Sequence, residues 1–246
     1  PGIVRGIDAE LNLNESFKGL NNSKTNILLG AGFISRFQES SNPVYNLPEN
    51  VGAYSVRSTI NRGKISFNSE YAYKYNDPDG GVTYNNYAPG NAIMSNMSYS
   101  ERGLGIIVEA HRVDNMDFRS ARGVTGNELT LAYIPAITKQ HTYTLAAFYP
   151  FSTQPMGELG FLGELNYNIK KKSTLGGKYG ALLTVNYSRV NALNGGNSVL
   201  TENESHTPIF FSVIGEDLYF RDFNIELKKK LSKKAKLTTS YVDMIY

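Results

Sequence analysis

The twelve residues from Lys64 to Tyr75, KISFNSEYAYKY, alternate strictly between two kinds of side chain. Odd positions carry Ile, Phe, Ser and three Tyr residues, whereas even positions carry Lys, Ser, Asn, Glu, Ala and Lys. Residues 54–60 alternate in the same way, and only the short turn around Arg62 and Gly63 separates the two runs. A period of two sends successive side chains to opposite faces of a strand. The sequence therefore predicts a β-hairpin with one apolar face and one polar face.

The length of this hairpin points to a membrane. Strands of soluble sheets have about 5 to 6 residues, whereas about 9 to 11 residues cross a bilayer as a tilted strand. The longest apolar run, residues 28–34, is interrupted by Gly30 and Gly32. It is far shorter than the roughly 18 apolar residues of a transmembrane helix. A mean hydropathy of -0.33 still fits a membrane barrel, because only alternate residues meet lipid. The 17 Tyr and 12 Phe residues could form aromatic girdles, although the chain has no Trp.

The same alternation continues along the chain and predicts about twelve strands in a single domain, residues 1–246. We expect these strands at residues 7–13, 27–37, 54–60, 64–75, 93–100, 104–110, 129–133, 143–149, 161–169, 179–187, 223–227 and 235–241.

The connections between these runs alternate in length. Short turns are expected at 15–24, 62–63, 101–102, 139–140, 171–173 and 229–234, and longer loops at 38–50, 76–90, 114–126, 150–156 and 190–217. Bacterial outer-membrane barrels have this asymmetry, with short periplasmic turns and long extracellular loops. A soluble antiparallel sandwich also alternates, because one face of each sheet is solvated. Strand length and loop asymmetry favour the all-β fold of an antiparallel up-and-down transmembrane β-barrel.

Seven segments spread over most of the chain carry a resemblance to known proteins. They are GIVRGIDAELNLNE (2–15), LPENVGAY (47–54), EYAYKYNDP (70–78), YSERGLGI (99–106), RVDNMDFRS (112–120), TKQHTYTLAA (138–147) and GGKYG (176–180). These segments resemble an uncharacterised family of Bacteroidota outer-membrane β-barrels, catalogued as a domain of unknown function. The resemblance implies the outer membrane and a barrel architecture, and it implies no activity. Members of that family are longer, and these segments are similar to their later part.

The residues that could carry catalysis are few. Hydrolases of outer-membrane barrels need a His beside a nucleophile or a carboxylate. His141 is expected in a tight turn, His206 in the longest loop, and His111 on the polar side of its strand two residues from Glu109. No serine lies in a nucleophile-elbow context, and no HExxH spacing occurs. We therefore expect no enzyme, no catalytic residue and no cofactor.

Two further motifs have a plain interpretation beside a functional one. Asp77 and Asp79 of NDPDGG could offer oxygens to calcium, but the segment lacks the downstream Glu of an EF-hand, so a simple turn is favoured and no metal is expected. A basic cluster could bind phosphate or anionic lipid, but such a run is more often a solvated turn. It consists of Lys228, Lys229, Lys230, Lys233, Lys234 and Lys236.

Charges on the polar face are candidates for a lumen. Their signs are mixed, so the lumen should not build a strong field of one sign. They either line a weakly selective channel or pair with one another and fill the interior. The candidates are Arg57, Glu70, Lys74, Glu109, Glu128, Glu164, Lys178 and Glu226.

The first functional hypothesis is a porin-like outer-membrane barrel with a pore or transport role. The second is a non-conducting structural or docking barrel that acts through its extracellular loops with lipoprotein or secretion partners. The expected partners are outer-membrane lipids and a protein at the loops. The 25 basic and 22 acidic residues are spread along the chain, so no nucleic-acid partner is expected.

The predicted strand count also places both termini. If the tight turns face the periplasm, the first strand begins and the last strand ends at the outer mouth, whereas bacterial barrels typically place both ends in the periplasm. We therefore expect part of a larger barrel, an arc whose first and last strands do not pair with each other.

Overall fold

The computed structural model describes residues 2–40, 42–78, 87–124, 128–141, 147, 150–193 and 214–246. Within them, ten strands form one antiparallel sheet in which each strand pairs with the next along the chain. The up-and-down antiparallel prediction is confirmed. The strands are β1 (Ile3–Asn12), β2 (Thr25–Phe37), β3 (Asn50–Arg62), β4 (Ile65–Lys74), β5 (Gly90–Glu101), β6 (Leu104–Asp114), β7 (Gly157–Ile169), β8 (Ala181–Leu193), β9 (Ile214–Lys230) and β10 (Lys236–Ile245).

The hairpin predicted first is β3 and β4. Arg62 pairs with Ile65 across a two-residue turn, in which Gly63 adopts a φ of +58° that favours glycine. The other short connections follow β1, β5, β7 and β9, at residues 13–24, 102–103, 170–180 and 231–235. The first of them contains the short helix α1 (Leu13–Ser16). We call this end of the sheet the short-turn end.

The two faces of the sheet differ as the alternation predicts. One face, here called the apolar face, leaves large side chains uncovered, including Ile7 at 71% exposure, Val56 at 51% and Tyr241 at 60%. The alternate residues form the polar face, where Asn186, Ser188 and Asp222 are buried. The sheet therefore buries polar side chains and exposes apolar ones, the reverse of an ordinary soluble sheet.

A long connection covers part of the polar face. Asp114 of β6 pairs with Gly157 of β7, so residues 115–156 are one connection, which we call the covering segment. It leaves and re-enters the sheet at the end where β2, β4 and β8 finish and β3 and β5 begin, here called the long-loop end. Phe118 packs against Val51 and Ala53, and Met116 packs against Ala92 and Val113. The two small apolar clusters found among the described residues are thus contacts between this segment and the polar face.

The covering segment corrects the predicted strand count. Residues 129–133 form no strand, because Leu129 has a left-handed φ of +53° and only one bridge, between Arg119 and Thr130, joins this stretch to another. The strand predicted at 143–149 lies largely outside the described residues, which there include only Ala147. The turn predicted at 139–140 is wrong, since those residues belong to the long-loop end. Ten strands, not about twelve, are present in the described part of the chain.

The first and last strands are the edges of the sheet. β1 pairs only with β2, and β10 pairs only with β9, so the described residues form an unclosed sheet. The prediction that residues 7–13 and 237–241 do not pair is confirmed. No helix in the described ranges is both long and apolar enough to span a bilayer, a finding that says nothing about a β-barrel.

Candidate functional site

The polar face and the covering segment hold most of the buried charge of the molecule, so they are the candidate functional site. Along the middle of the face, side chains that are directly opposite on neighbouring strands bond to each other. Thr59 donates to Asn68 at 2.9 Å, Asn96 donates to Glu109 at 2.6 Å, and Thr184 donates to Asn166 at 2.7 Å. Such cross-strand pairs stabilise a sheet.

Arg57 reaches across a whole strand near the β1 edge. Its guanidinium bonds Asp8 through two contacts of 2.6 Å and Glu10 at 3.0 Å, although both carboxylates lie on β1 and Arg57 lies on β3. The intervening positions of β2 are Gly30 and Gly32. A Cβ at Gly30 would lie 2.5 Å from Nε of Arg57, and a Cβ at Gly32 would lie 3.0 Å from Asp8. The two glycines therefore leave the groove in which this ion pair forms.

At the long-loop end, a buried ion cluster joins two loops to the sheet. Asp77 accepts from Arg36 at 2.5 Å and from Arg122 at 3.2 Å. Arg36 also donates to the Arg119 carbonyl at 3.1 Å. All three ionic side chains are at least nine-tenths buried, and a buried charge is tolerated when it is paired in this way. The cluster thus fixes the covering segment to β2 and to the loop after β4.

Lys74 makes a neighbouring contact of the same kind. Its Nζ donates to the Asp117 carbonyl at 2.8 Å, and the Lys74 side chain has no exposure to solvent. Arg119 in turn bonds the Asp117 carboxylate at 2.9 Å. The residues Asp117 and Arg119 therefore hold the start of the covering segment by both backbone and side-chain groups.

The other half of the covering segment bonds to strands on the far side of the sheet. Lys139 Nζ donates to Asn224 at 3.0 Å and lies 3.8 Å from the Glu164 carboxylate. His141 Nε2 lies 2.6 Å from the buried carboxylate of Asp222. These contacts join the segment to β7 and β9, whereas Phe118 and Arg119 join it to β2 and β3. The segment therefore crosses the polar face from one side of the sheet to the other.

A second His–carboxylate pair lies beneath the end of the segment. His111 Nε2 is 2.5 Å from Glu158, and both side chains are buried. The other Glu158 oxygen accepts from the Gln154 backbone N–H at 2.6 Å, which ties the covering segment to this pair. The His111 side chain lies over Gly160, where a Cβ would be 2.9 Å from Nε2.

The eight predicted lumen candidates have different surroundings. Arg57, Lys74, Glu109 and Glu164 make the polar-face contacts described above. Glu70 lies opposite Arg57 and lines a cavity of about 510 Å³ beside the covering segment. Glu226 accepts from Lys228 at 2.7 Å. Glu128 and Lys178 lie outside the strands: Glu128 is exposed in the covering segment, and Lys178 lies in the turn after β7, above the Tyr179 ring.

The motifs considered for chemistry also have defined places. His141 is not in a short turn, as predicted, but on the polar face, and His206 lies outside the described residues. The carboxylate of Asp77 is bonded to Arg36 and Arg122, whereas a calcium ligand would direct its oxygens at the metal. Asp79 lies outside the described residues. In the described ranges, no three His, Cys, Asp or Glu side chains are grouped to hold a metal.

Sequence reasoning missed two features of the site. Arg36 lies on the polar side of β2, a position that alternation from Ile27 could have identified, but its partners are 41 and 83 residues away in the chain. The covering segment was missed because its apolar residues also alternate. Gly30 and Gly32 lie beside Arg57 in the register of the β2–β3 hairpin. They were therefore a sequence signal for the groove through which Arg57 reaches β1.

Comparisons with known proteins give one match. No curated protein matches the chain, and no solved structure matches it. A family model described as a family of unknown function (DUF6029) matches residues 1–246, the whole chain, in agreement with the resemblance noted in its segments. The chain therefore belongs to this family of unknown function.

Proposed function

We propose that this chain forms ten strands of an outer-membrane β-barrel with a pore or transport role. The observation that carries the proposal is the inverted sheet, whose apolar face is uncovered and whose polar face is partly covered. A soluble sandwich would bury the apolar face against a second sheet. Lipid is the partner that suits a wide apolar sheet face, since it removes that face from water without a second protein layer.

The lengths of the strands also support a membrane location. Each described strand has 10 to 17 residues, which meets the roughly 9 to 11 residues needed to cross a bilayer at a tilt. Aromatic side chains such as Tyr54, Tyr167 and Tyr241 are exposed on the apolar face, as interfacial girdles require. In lipid, the unpaired edges of β1 and β10 would each cost several kcal/mol per backbone group, so the proposal includes pairing of these edges in the assembled barrel.

In this proposal the polar face lines the lumen, and the covering segment closes it at the long-loop end. Transport then requires that the segment move. Lys139 and His141 are the contacts to release, because they hold the segment to β7 and β9 and their side chains are 21% and 10% exposed, more than any side chain of the Asp77 cluster. The buried Asp77 cluster would hold the other half in place, so the segment would open on one side.

Membrane insertion is the first test. The chain is refolded into phosphatidylcholine vesicles, and the vesicles are floated on a density gradient and washed with carbonate. Insertion predicts that the chain floats and resists the wash. A chain that remains in the soluble fraction, or that is removed by carbonate, would overturn the proposal.

Conductance is the second test. Planar-bilayer recordings compare the chain with the Lys139→Ala/His141→Ala double variant and with Lys233→Ala/Lys234→Ala, a control in the turn after β9. Release of the segment predicts larger or more frequent conductance steps in the first variant only. An inserted protein that conducts neither as wild type nor as the first variant would sink the transport role.

The second candidate is a non-conducting docking barrel. Two observations favour it: the described parts of the connections after β2, β4 and β6 lie at one end of the sheet, and the covering segment occludes the polar face there. Its test is affinity purification of the chain from outer membranes. A lipoprotein or secretion component recovered in equal amounts, together with absent conductance, would raise docking above transport.

A further inference from the structure

The short-turn end of the sheet contains a cavity that the covering segment does not reach. Its volume is about 1050 Å³, and it lies between the connections that follow β5, β7 and β9. Seven of the nineteen residues that line it are basic, and one is acidic. The basic residues are Arg102, Lys170, Lys171, Lys228 to Lys230 and Lys236, so three separate hairpins contribute basic residues to the lining. Lys229 alternates with its two neighbours and is on the opposite face of β9.

The positive charge of this cavity is not balanced by the protein around it. Its one carboxylate, Glu101, is bonded by Lys64 at 2.5 Å, and Lys228 is bonded to Glu226 at 2.7 Å. In the part of the chain that the structure describes, the other six basic residues form no ion pair. Lys230 instead lies 5.5 Å from the centre of the Tyr179 ring.

The register of the β9–β10 hairpin places two lysines opposite each other, which destabilises the hairpin unless an anion binds between them. Lys230 is directly opposite Lys236, and like charges directly opposite on neighbouring strands destabilise a sheet. The pleat places Lys228 and Lys230 on the same face as Glu226, which is the polar face. An anion between these ammonium groups would convert the repulsion into attraction.

We propose that this cavity is a binding site for a phosphate-bearing anion. Basic side chains that line one cavity from different hairpins suit a compact multivalent anion better than a single carboxylate, because each phosphate oxygen can accept from a different donor. The phosphate could be a free solute or the headgroup of an anionic phospholipid. The inference rests on the proposed function for one point only, that this cavity is the inner mouth of the lumen. On that basis, a phosphate-bearing anion is the class of solute that the mouth attracts.

The experiment is calorimetric titration of the detergent-folded chain. Pyrophosphate is the free anion, and short-chain phosphatidylglycerol, with phosphatidylcholine of equal chain length as the neutral reference, is the lipid. The cavity variant is Lys230→Gln/Lys236→Gln. The control is Lys233→Gln/Lys234→Gln, which removes the same charge from the same hairpin but from turn residues that do not line the cavity. Far-UV circular dichroism verifies that both variants are folded.

The expected result is a loss of affinity of about tenfold or more in the cavity variant and of less than about twofold in the control, with binding that weakens as salt is added. Pyrophosphate binding that weakens in the cavity variant but not in the control identifies a solute site. The same pattern for phosphatidylglycerol alone identifies a headgroup site. No binding, or an equal loss in both variants, overturns the proposal. Because the titration needs neither insertion nor conductance, its failure is separate from a failure of the proposed function.

Discussion

The same alternating pattern builds both ends of the polar face, but the charged side chains are buried and paired at one end and largely exposed at the other. At the long-loop end, Arg36 and Asp77 are 1% and 5% exposed, and they are bonded to each other and to the covering segment. At the short-turn end, the lysines of the cavity are largely exposed, and most of them form no ion pair among the described residues. Desolvated charges must be paired, whereas solvated charges need not be.

This difference indicates separate roles for the two ends. Substituting a buried, paired charge disrupts the structure, so the charges of the long-loop end are structural. An exposed, unpaired charge can be changed without loss of fold, so the charges of the short-turn end are free to meet a ligand. Substitutions of charged residues should therefore cost more stability at the long-loop end than at the short-turn end.

The largest effect is expected from Asp77→Asn. The substitution leaves Arg36 and Arg122 buried without their anion, and breaking a buried ion pair by removing one partner costs about 3–5 kcal/mol. The free energy of unfolding is measured by urea titration in detergent, with tyrosine fluorescence as the signal. The control is Glu101→Gln at the short-turn end, whose partner Lys64 is exposed. Equal losses in the two variants would contradict the division between the ends.

A slightly smaller effect is expected from Leu183→Arg. Leu183 lies on the apolar face of β8, next to Leu182, which faces the other way and lines the cavity at the short-turn end. Under the proposed function the apolar face meets lipid, where an arginine costs about 2–4 kcal/mol at the bilayer midplane and less toward the interface. Leu183 is the third residue of β8, so a cost of about 1–2 kcal/mol is expected, whereas an arginine on the polar side costs less. Refolding titrations in lipid vesicles compare Leu183→Arg with Leu182→Arg. Equal costs would show that the two faces are wrongly assigned or that the apolar face does not meet lipid.

A third substitution tests the groove beneath Arg57. Gly30→Ala places a Cβ against Nε of Arg57 and displaces its ion pairs with Asp8 and Glu10, at a cost of about 1 kcal/mol. The matched control is Gly163→Ala in β7, where an added Cβ meets nothing within 4 Å. Replacing that glycine should stabilise the strand by about 0.5–1 kcal/mol through reduced backbone entropy. Urea unfolding midpoints that move in the same direction would contradict the role of Gly30.

Alternation predicted the strands because the sheet has one apolar and one polar face along its whole width. Residues 54–60 and 64–75 had to form a hairpin, since any shift of register by one residue would exchange their faces. The same pattern misled at Leu129, Leu131 and Tyr133. Leu131 packs on the cluster of Val51 and Phe118, so its spacing reflects the surface that the segment lies on, not a strand of the sheet.

The candidate site was harder to predict for a physical reason. The partners of Asp77 are 41 and 45 residues away, and their contacts depend on where the covering segment folds back. Local periodicity carries no information about that distance. The basic residues near Lys230 were visible in the sequence, but their convergence with Lys170 and Arg102 follows from the order of the strands, which brings three turns together.

The smallest effect is expected at Lys64, the charged side chain that neutralises Glu101 beside the cavity. Its hydrogen bond to the Glu101 carboxylate raises the pKa of Lys64 in the folded chain. A group whose pKa is raised on folding contributes its stability below the unfolded pKa and loses it as the pH rises through the folded pKa. The difference in urea midpoint between wild type and Lys64→Gln should therefore be small and constant near neutral pH, and it should shrink only in the alkaline range where lysine deprotonates. A difference that changes between about pH 6 and about pH 8 would mean that another group titrates there, and that the pair does not stabilise the short-turn end in this way.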